Sequence, residues 1–503
     1  MRHLLKTSGL VSLFLLLACQ STPQRVHVVE REQAASLPRA LEQAFDSAIT
    51  SEHLGYVIYD PETKSVVESH QATKEFIPAS SHKIFATLAA LNVLGPHYRF
   101  TTTLSRAGRV RSQVLDGDIY LKGMGDPFLT AADLMALAIS LKGQGIKKVL
   151  GKLIYDDSFL PNASEIYSNP GFADAYNPGV SALSVDFNEM AVEWVANRDQ
   201  DQLELYSIPS LPLYRLQPAL DLKAQELTKF KYERPQAGSA VGTWLFSTGK
   251  LKENKRESLP VYDPSLHAAQ LFVRFCEMNG IEFTLPTERG VEPKNAKRIA
   301  EHSSLELVRL AEMNLEHSNN LMSELLYLAT ARKLLGKAVR YQDAVSSVSN
   351  WIKSRFPGAD WTNYVGDNGS GLSVTARVTP LQMLEVLKFS EKASYAGRSY
   401  LSLLPISGWK GTLRKRLSTP DTAFSVWAKT GTVNYSSALA GFLFSKSKRK
   451  YLFVVFVTDF PKRAAFDAIS SRASEDDLEA AERWIKQARK TQDALISSWI
   501  SKY

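Results

Sequence analysis

Residues 80–94, SSHKIFATLAALNVL, constrain the fold more than any other stretch of this 503-residue chain. The stretch follows Pro78 and ends before Gly95-Pro96, which is the punctuation expected of a helix. Beyond its first turn it is apolar on nearly every side, and a helix of that kind is stable only when other elements enclose it. We therefore expect a buried central helix.

The first turn of this helix carries a serine and a lysine three residues apart, Ser80 and Lys83. On a helix the two side chains share a face, so the lysine amine can take the serine proton. Four other Ser-x-x-Lys matches lie in predicted turns or basic surface runs, at Ser247, Ser407, Ser445 and Ser447. Ser80 is therefore the candidate nucleophile, although by itself it could serve simply as a helix N-cap.

A second motif, Ser318-Asn319-Asn320, is the only Ser-x-Asn of the chain. It lies at a polar break between two apolar helical stretches, residues 305–313 and 321–335. Side chains at such a break can point into a cleft. Taken alone, the motif could equally be the cap of the second helix.

A third motif is the only Lys-Thr-Gly of the chain, Lys429-Thr430-Gly431, followed by Thr432. It ends a strand-like stretch, residues 424–431. On an edge strand, glycine lets an extended substrate approach the backbone, and lysine offers a cation for a carboxylate. A strand-end turn is the alternative interpretation of this motif alone.

The rest of the chain indicates mixed α and β structure around an insertion. Two alternating runs within residues 55–69 predict a β-hairpin, and residues 424–460 predict three successive strands. The character of the chain changes from Arg99 to about Pro264, where short strands and one helix follow each other. We expect one domain from residues 39–104 and 265–503, with an inserted accessory part at residues 105–264.

The N-terminus predicts export. Residues 1–18 combine positive charge with a short apolar core, as a signal peptide does, and Leu16-Leu17-Ala18-Cys19 resembles a bacterial lipobox. We expect lipid on Cys19, a polar tether over residues 19–38, and a periplasmic protein anchored to a bacterial membrane, in preference the outer one. An ordinary secretory signal is the alternative. The remaining cysteine, Cys276, lies in an apolar run and is expected to be a small buried side chain.

Composition excludes several classes of function. The net charge is +8, and no basic run is interleaved with aromatic residues, so nucleic-acid binding is not expected. The sequence has no HExxH, no paired-cysteine spacing, no P-loop and no dinucleotide fingerprint. We expect no metal and no cofactor.

The three motifs, in this order and in these settings, form a pattern described for β-lactamases and penicillin-binding proteins. With more than 200 residues between Ser80 and Ser318, the chain resembles the D-alanyl-D-alanine carboxypeptidase/endopeptidases, low-molecular-mass class C penicillin-binding proteins of peptidase family S13. Further matching stretches are residues 125–127, 176–178, 181–183 and 368–373. The resemblance implies an α/β (α+β) fold of the transpeptidase type. Its core would be a five-stranded antiparallel sheet flanked by helices, with a large inserted region.

The resemblance also implies a mechanism. Ser80 would attack the carbonyl of the penultimate D-alanine, and water would resolve the acyl-enzyme. Lys83 would be the base, kept neutral by burial and by the like charge of Lys429. Ser318 would relay the proton to the leaving amine. The oxyanion would lie between the backbone N–H groups of Ser80 and Thr432.

Substrate recognition is implied in the same way. Asn320 would hold the substrate amide, and Lys429 and Thr430 would bind the terminal carboxylate beside Gly431. Asn319 stands where related enzymes commonly have aspartate, but it is not one of the reacting groups. The implied partners are peptidoglycan stem peptides, β-lactam inhibitors and a membrane reached through lipid.

Three functions compete at this point. The leading one is a cell-wall DD-peptidase that acts on D-Ala-D-Ala, with cleavage of D-Ala–meso-diaminopimelate cross-links left open. A β-lactamase shares the acylation chemistry, but the long insertion argues against it. A non-catalytic lipoprotein that binds peptidoglycan is the third, and the intact motif set argues against that one.

Overall fold

The computed structural model describes residues 49–168, 175–197, 202–219, 230–236, 239, 241–247, 255–337, 340–469 and 473–503. The predicted signal peptide, Cys19 and the tether lie outside the described residues. Among the helices that are described, none has both the length and the apolar character needed to cross a bilayer.

The α-helices of the described residues are α1 (Lys83–Val93), α2 (Ala131–Gly143), α3 (Pro264–Met278), α4 (Leu307–His317), α5 (Asn320–Leu335), α6 (Tyr341–Arg355), α7 (Pro380–Lys392), α8 (Phe460–Ile469) and α9 (Glu475–Lys502). The strands are β1 (Leu54–Asp60), β2 (Ser65–His70), β3 (Thr101–Arg106), β4 (Arg109–Arg111), β5 (Val114–Asp116), β6 (Ile119–Gly123), β7 (Lys148–Val149), β8 (Leu153–Asp156), β9 (Glu189–Asn197), β10 (Gln202–Ile208), β11 (Tyr214–Ala219), β12 (Phe230–Glu233), β13 (Gly242–Ser247), β14 (Lys255–Pro260), β15 (Glu282–Phe283), β16 (Glu288–Arg289), β17 (Lys297–Ser303), β18 (Ser394–Tyr395), β19 (Arg398–Ser399), β20 (Val426–Val433), β21 (Ser436–Phe444) and β22 (Lys450–Thr458).

The main sheet has five strands in the order β2-β1-β22-β21-β20, and every neighbouring pair is antiparallel. The expected five-stranded antiparallel sheet is therefore confirmed. The hairpin near the N-terminus joins the three strands near the C-terminus, because β1 pairs with β22. This pairing makes β20 an edge strand.

Helices cover both faces of this sheet. Successive side chains of a strand point to opposite faces, so Val57 and Tyr59 enter one core while Tyr56 and Ile58 enter the other. The first core includes α1 and α4–α7, and the second is closed mainly by α9. Helix α9 continues to Lys502, and its last turn, with Trp499, packs against the sheet.

The central helix is present, but its first turn differs from the expected α-helix. Residues Ala79–His82 form a 3-10 turn, and the α-helix begins at Lys83. The tighter turn follows from short-range bonds: the Ser81 N–H donates to the Pro78 carbonyl at 3.1 Å, and the Lys83 N–H reaches both the Ser80 and Ser81 carbonyls. From Lys83 to Leu91 every side chain of the helix is buried.

The inserted residues have cores of their own. One lies between α2, α3 and strands that include β3 and β6, and it contains the free thiol of Cys276, which is 0% exposed. Another is built on aromatic side chains of β9, β12 and β13, among them Trp194 and Trp244. Burial raises the pKa of the Cys276 thiol, as expected for an inert buried cysteine.

The domain boundaries stay predictions, and the packing favours moving one of them. Helix α3 lies after residue 264, yet it packs in the core of the inserted part. Strand β17 also pairs with β3 in a sheet with β6 and β8. We therefore propose that the inserted part extends to about Ser303, rather than ending at residue 264.

Candidate active site

The Ser-x-x-Lys motif lies at the start of the central helix, where the chain is forced into an unusual turn. Ala79 has a φ of +45°, in the left-handed region. The turn places the Ser80 hydroxyl 2.8 Å from the Lys83 amine, which donates a hydrogen bond to it. Serine and lysine are therefore in direct contact, as the spacing predicted.

Lys83 is fully buried, at 0% exposed, and its amine has three oxygen partners. Besides Ser80, it donates to the Asn320 side-chain oxygen and to the Ser370 carbonyl, both at 2.7 Å. Burial lowers the pKa of Lys83 well below its ordinary value, and the positive charge of Lys429 lowers it further. The amine is thus disposed to lose its proton.

The Ser-x-Asn motif joins α4 to α5. Ser318 ends α4 in the left-handed conformation, with a φ of +59°, and the Asn319 side chain caps α5 by accepting from the Met322 N–H at 2.9 Å. Asn320 then contacts two elements at once. Its oxygen accepts from Lys83, and its amide nitrogen donates to the Tyr176 carbonyl at 2.9 Å.

Lys429 projects from the edge strand toward the same place. It is 0% exposed and donates to the Ser318 hydroxyl and to the Thr430 carbonyl, both at 2.8 Å. Burial lowers the pKa of Lys429 to about 7. The second and third motifs are therefore linked directly, just as Lys83 links the first to the second.

Gly431 permits strand β20 to lie against the turn that carries Ser80. A Cβ at this position would lie 2.6 Å from the Pro78 carbonyl oxygen and 3.0 Å from the Ser80 amide nitrogen. Both distances are too short for a side chain. The glycine of the third motif is thus required by this close approach, a reason that the sequence alone did not reveal.

The two threonines of the third motif have partners beyond the motif. Thr430 donates to the Thr412 hydroxyl at 2.8 Å, and Thr432 accepts from the Arg489 guanidinium at 3.0 Å. Arg489 belongs to α9 on the far side of the sheet. Its contact with Thr432 could not be seen in the sequence, because nearly 60 residues separate the two.

A cleft of about 290 Å³ opens at the junction of the motifs. Its lining includes Ser80, Ser318, Asn320, Thr432, Tyr176 and Arg463. The structure thus brings together all predicted site residues of the three motifs, while Cys19 lies outside the described residues.

The histidine between Ser80 and Lys83 takes no part in this cluster. His82 is buried, stacks on Phe85 and pairs with the Tyr364 hydroxyl at 2.9 Å. Burial lowers the pKa of His82 to about 4, so the ring is neutral at physiological pH. His82 therefore contributes to the packing around the site.

Two site residues were missed by the sequence reasoning. The Ser370 carbonyl is a direct partner of Lys83, and the buried carboxylate of Glu324 accepts the Ser370 N–H at 2.9 Å. The stretch 368–373 had been noted for its similarity to the family, with no role attached. Glu324 gave a weak signal, as a carboxylate inside an otherwise apolar helical run.

The fold and the site define an active-serine hydrolase of the penicillin-binding type, in which a serine and two buried lysines meet beside a cleft. The chain belongs to the D-Ala-D-Ala carboxypeptidase 3 (S13) family, whose sequence model matches residues 36–480. It is a serine-type carboxypeptidase, and its function is that of a DD-peptidase.

Individual relatives agree with this assignment. A D-alanyl-D-alanine carboxypeptidase DacB of Haemophilus influenzae is 24% identical over 473 residues, covering 92% of this chain and 94% of that relative. A D-alanyl-D-alanine carboxypeptidase of Actinomadura sp. (strain R39) is 28% identical over 435 residues, covering 79% and 76%. The crystal structure of penicillin binding protein 4 (dacB) from Haemophilus influenzae superposes with a TM-score of 0.75 at 23% identity, covering 92% of this chain and 99% of that one. The same protein has also been solved in complex with a β-lactam.

Proposed function

We propose that Ser80 is the nucleophile of this DD-peptidase and that Lys83 is its base. The observation that carries the proposal is the contact of 2.8 Å between the serine hydroxyl and a fully buried amine. Ser80 loses its proton to Lys83 while its oxygen bonds to the carbonyl carbon of the penultimate D-alanine. Water later takes the place of the leaving D-alanine and releases the acyl group.

Ser318 is placed to return the proton to the leaving amine. Its oxygen accepts a hydrogen bond from Lys429, so its own hydroxyl hydrogen is free to point elsewhere. Ser318 lines the cleft together with Ser80, and the leaving nitrogen would lie between them. The C–N bond breaks as this nitrogen receives the Ser318 proton, and the proton that Lys83 took from Ser80 then passes to the Ser318 oxygen, which restores the neutral base.

Binding of the substrate follows from the charges and donors of the cleft. Lys429 supplies a cation for the terminal carboxylate, with the hydroxyls of Thr430 and Thr432 on either side of Gly431. Asn320 binds the substrate amide, and the N–H groups of Ser80 and Thr432 bind the oxyanion. The substrates are the D-Ala-D-Ala ends of peptidoglycan stem peptides, as the names of the relatives suggest.

The pKa of Lys429 predicts that kcat/KM decreases at alkaline pH. Below pH 7 the amine is charged and attracts the carboxylate, and above pH 7 it becomes neutral in the free enzyme. We expect kcat/KM for a D-Ala-D-Ala peptide to fall above about pH 7, while kcat falls only at higher pH, because bound carboxylate stabilises the charged amine. Steady-state kinetics between pH 5 and 10 check this. A kcat/KM that keeps rising to pH 9 would contradict it.

A labelled penicillin tests the proposed function as a whole. We expect a stable adduct of one penicilloyl group per chain, together with release of D-alanine from a stem peptide. Rapid turnover of the adduct would indicate a β-lactamase, and no adduct would indicate a non-catalytic protein. Digestion of purified peptidoglycan, followed by counting of dimeric muropeptides, then shows whether cross-links are cut as well.

We also propose that the enzyme works in the periplasm, tethered by lipid at Cys19, with the outer membrane favoured. The lipobox-like run before Cys19 and the polar residues that follow it support this location. Mass spectrometry of the mature N-terminus tests it, since an unmodified terminus at another residue would refute the anchor.

A further inference from the structure

Lys83 can act as a base only if its lone pair points at Ser80. A neutral amine has two N–H bonds and one lone pair, so three oxygen partners cannot all receive a hydrogen from it. Asn320 and Ser370 each present an oxygen that only accepts, at 2.7 Å. With both N–H bonds donated to these two, the remaining lone pair faces the Ser80 hydroxyl. The Ser370 carbonyl is therefore part of what aims the base.

The Ser370 carbonyl is held in place by a buried carboxylate. Glu324 is 0% exposed and accepts the N–H groups of Gly369 at 3.2 Å and Ser370 at 2.9 Å, and the Tyr341 hydroxyl at 2.6 Å. A Cβ at Gly369 would lie 2.7 Å from the Ser323 carbonyl, so the turn is pressed against helix α5. Glu324 thus fixes the backbone from which the Ser370 carbonyl projects.

Helix α5 positions both of the oxygens that accept hydrogen bonds from Lys83, those of Asn320 and Ser370. Asn320 is its first residue, and Glu324 lies four residues later, on the same face of the helix. Asn320 contacts the amine directly, whereas Glu324 acts through Ser370. Any shift of the carboxylate would rotate the amine away from the nucleophile.

Glu324 also acts on Lys83 through its charge. The negative charge raises the pKa of Lys83, against the effects of burial and of Lys429. His82 borders the same amine but is neutral, because burial holds its pKa at about 4.

Other groups act on the charge of Glu324 itself. Burial raises the pKa of Glu324, while the hydrogen bonds from Ser370, Gly369 and Tyr341 lower it. Two further titratable groups lie around this cluster: Tyr327 on α5, on which the charge of Glu324 acts, and Asp367, whose charge acts on Tyr327 and Tyr341.

We propose that Glu324 is a positioning residue of this enzyme: through the Ser370 carbonyl it aims Lys83 at Ser80. The same contacts hold the Glu324 carboxylate near the amine, and as a second part of this role its charge raises the pKa of Lys83. This inference rests on the proposed roles of Ser80 and Lys83.

The variant Glu324→Gln tests both parts of the proposal. In either orientation, the glutamine amide nitrogen faces a backbone N–H and leaves it without an acceptor. We expect acylation by benzylpenicillin to slow by about ten- to a hundredfold at the optimum, as for a small misplacement of a reacting group. Loss of the negative charge should also move the acid limb of the pH profile, which reports deprotonation of Lys83, to lower pH. Stopped-flow acylation of the full chain between pH 4 and 10 measures both effects.

Two further variants separate position from charge. Glu324→Asp keeps the charge but shortens the side chain, so we expect slower acylation with the acid limb at the wild-type pH. Glu391→Gln is the matched control. It removes a partly buried carboxylate that pairs with Lys450 at 2.6 Å in another part of the molecule. Neither the rate of acylation nor the acid limb of its pH profile should change.

The outcomes are distinguishable. Glu324→Gln with the wild-type rate and acid limb would overturn the inference while leaving the proposed function intact. Should Glu324→Gln not fold, as judged by its melting curve, wild-type acylation by Glu324→Asp would overturn the positioning role. A wild-type protein that forms no adduct at Ser80 would refute the proposed function, and this inference with it.

Discussion

Replacing Ser80 with alanine is expected to abolish the penicillin adduct and to lower kcat/KM for a D-Ala-D-Ala peptide by at least about a thousandfold. The Ser80 hydroxyl is the group proposed to bond to the substrate. Among the described residues, the other two oxygens that Lys83 contacts are the Asn320 amide oxygen and the Ser370 carbonyl, which cannot be acylated in its place. Intact-mass spectrometry after exposure to benzylpenicillin measures the adduct directly. The variant should keep its fold, because the Ser80 side chain is only partly buried.

The neighbouring serine provides a matched control. The Ser81 hydroxyl is buried and donates to the Pro78 carbonyl at 2.7 Å, so it contributes to the turn and does not face the cleft. Ser81→Ala should lose about 1 kcal/mol of stability and still form the adduct. An adduct that persists in Ser80→Ala, or that disappears only in Ser81→Ala, would show that the nucleophile has been misassigned.

Replacing Lys83 with arginine should have an effect of similar size. A guanidinium remains protonated at every pH at which the protein is folded, so it cannot take the Ser80 proton. We expect the rate of acylation to fall by at least about a thousandfold and no recovery of activity toward alkaline pH. Because arginine is larger than the buried lysine, Lys83→Met serves as the neutral variant of similar volume. Rapid-mixing acylation kinetics and melting curves of both variants check the prediction.

The same substitution at the second buried lysine gives a contrasting result. Lys429 is proposed to act as a cation, and arginine keeps the charge. Lys429→Arg should therefore retain acylation that is clearly faster than that of Lys83→Arg, with its alkaline limb moved above the range measured. Equal losses in the two variants would argue against separate roles for the two lysines.

Much of the fold could be predicted from the sequence because the signals were local. The apolar residues of the central helix, the alternating hairpin and the three C-terminal strands each carry their pattern within about ten residues. The sequence of neither strand specifies the pairing of β1 with β22, since each strand is compatible with many partners. The resemblance to a family implied only a five-stranded antiparallel sheet, and the structure decided which of its strands are neighbours.

The outline of the site was predictable for the same reason, but the hydrogen bonds between its residues were not. The sequence by itself determined that Ser80 and Lys83 share a helix face. It also showed that the Ser-x-Asn and Lys-Thr-Gly motifs each occur once in the chain, which made them candidates for the same site. Only the tertiary structure decided that the Ser370 carbonyl and Glu324 complete the surroundings of Lys83, and that Gly431 is needed where β20 meets the nucleophile turn.

The physical reason is that spacing along one element fixes which side chains are neighbours, whereas backbone carbonyls and buried charges act across elements. More than 200 residues separate Lys83 from each of these two partners. They meet only because the central helix packs against α5 within the first of the two cores.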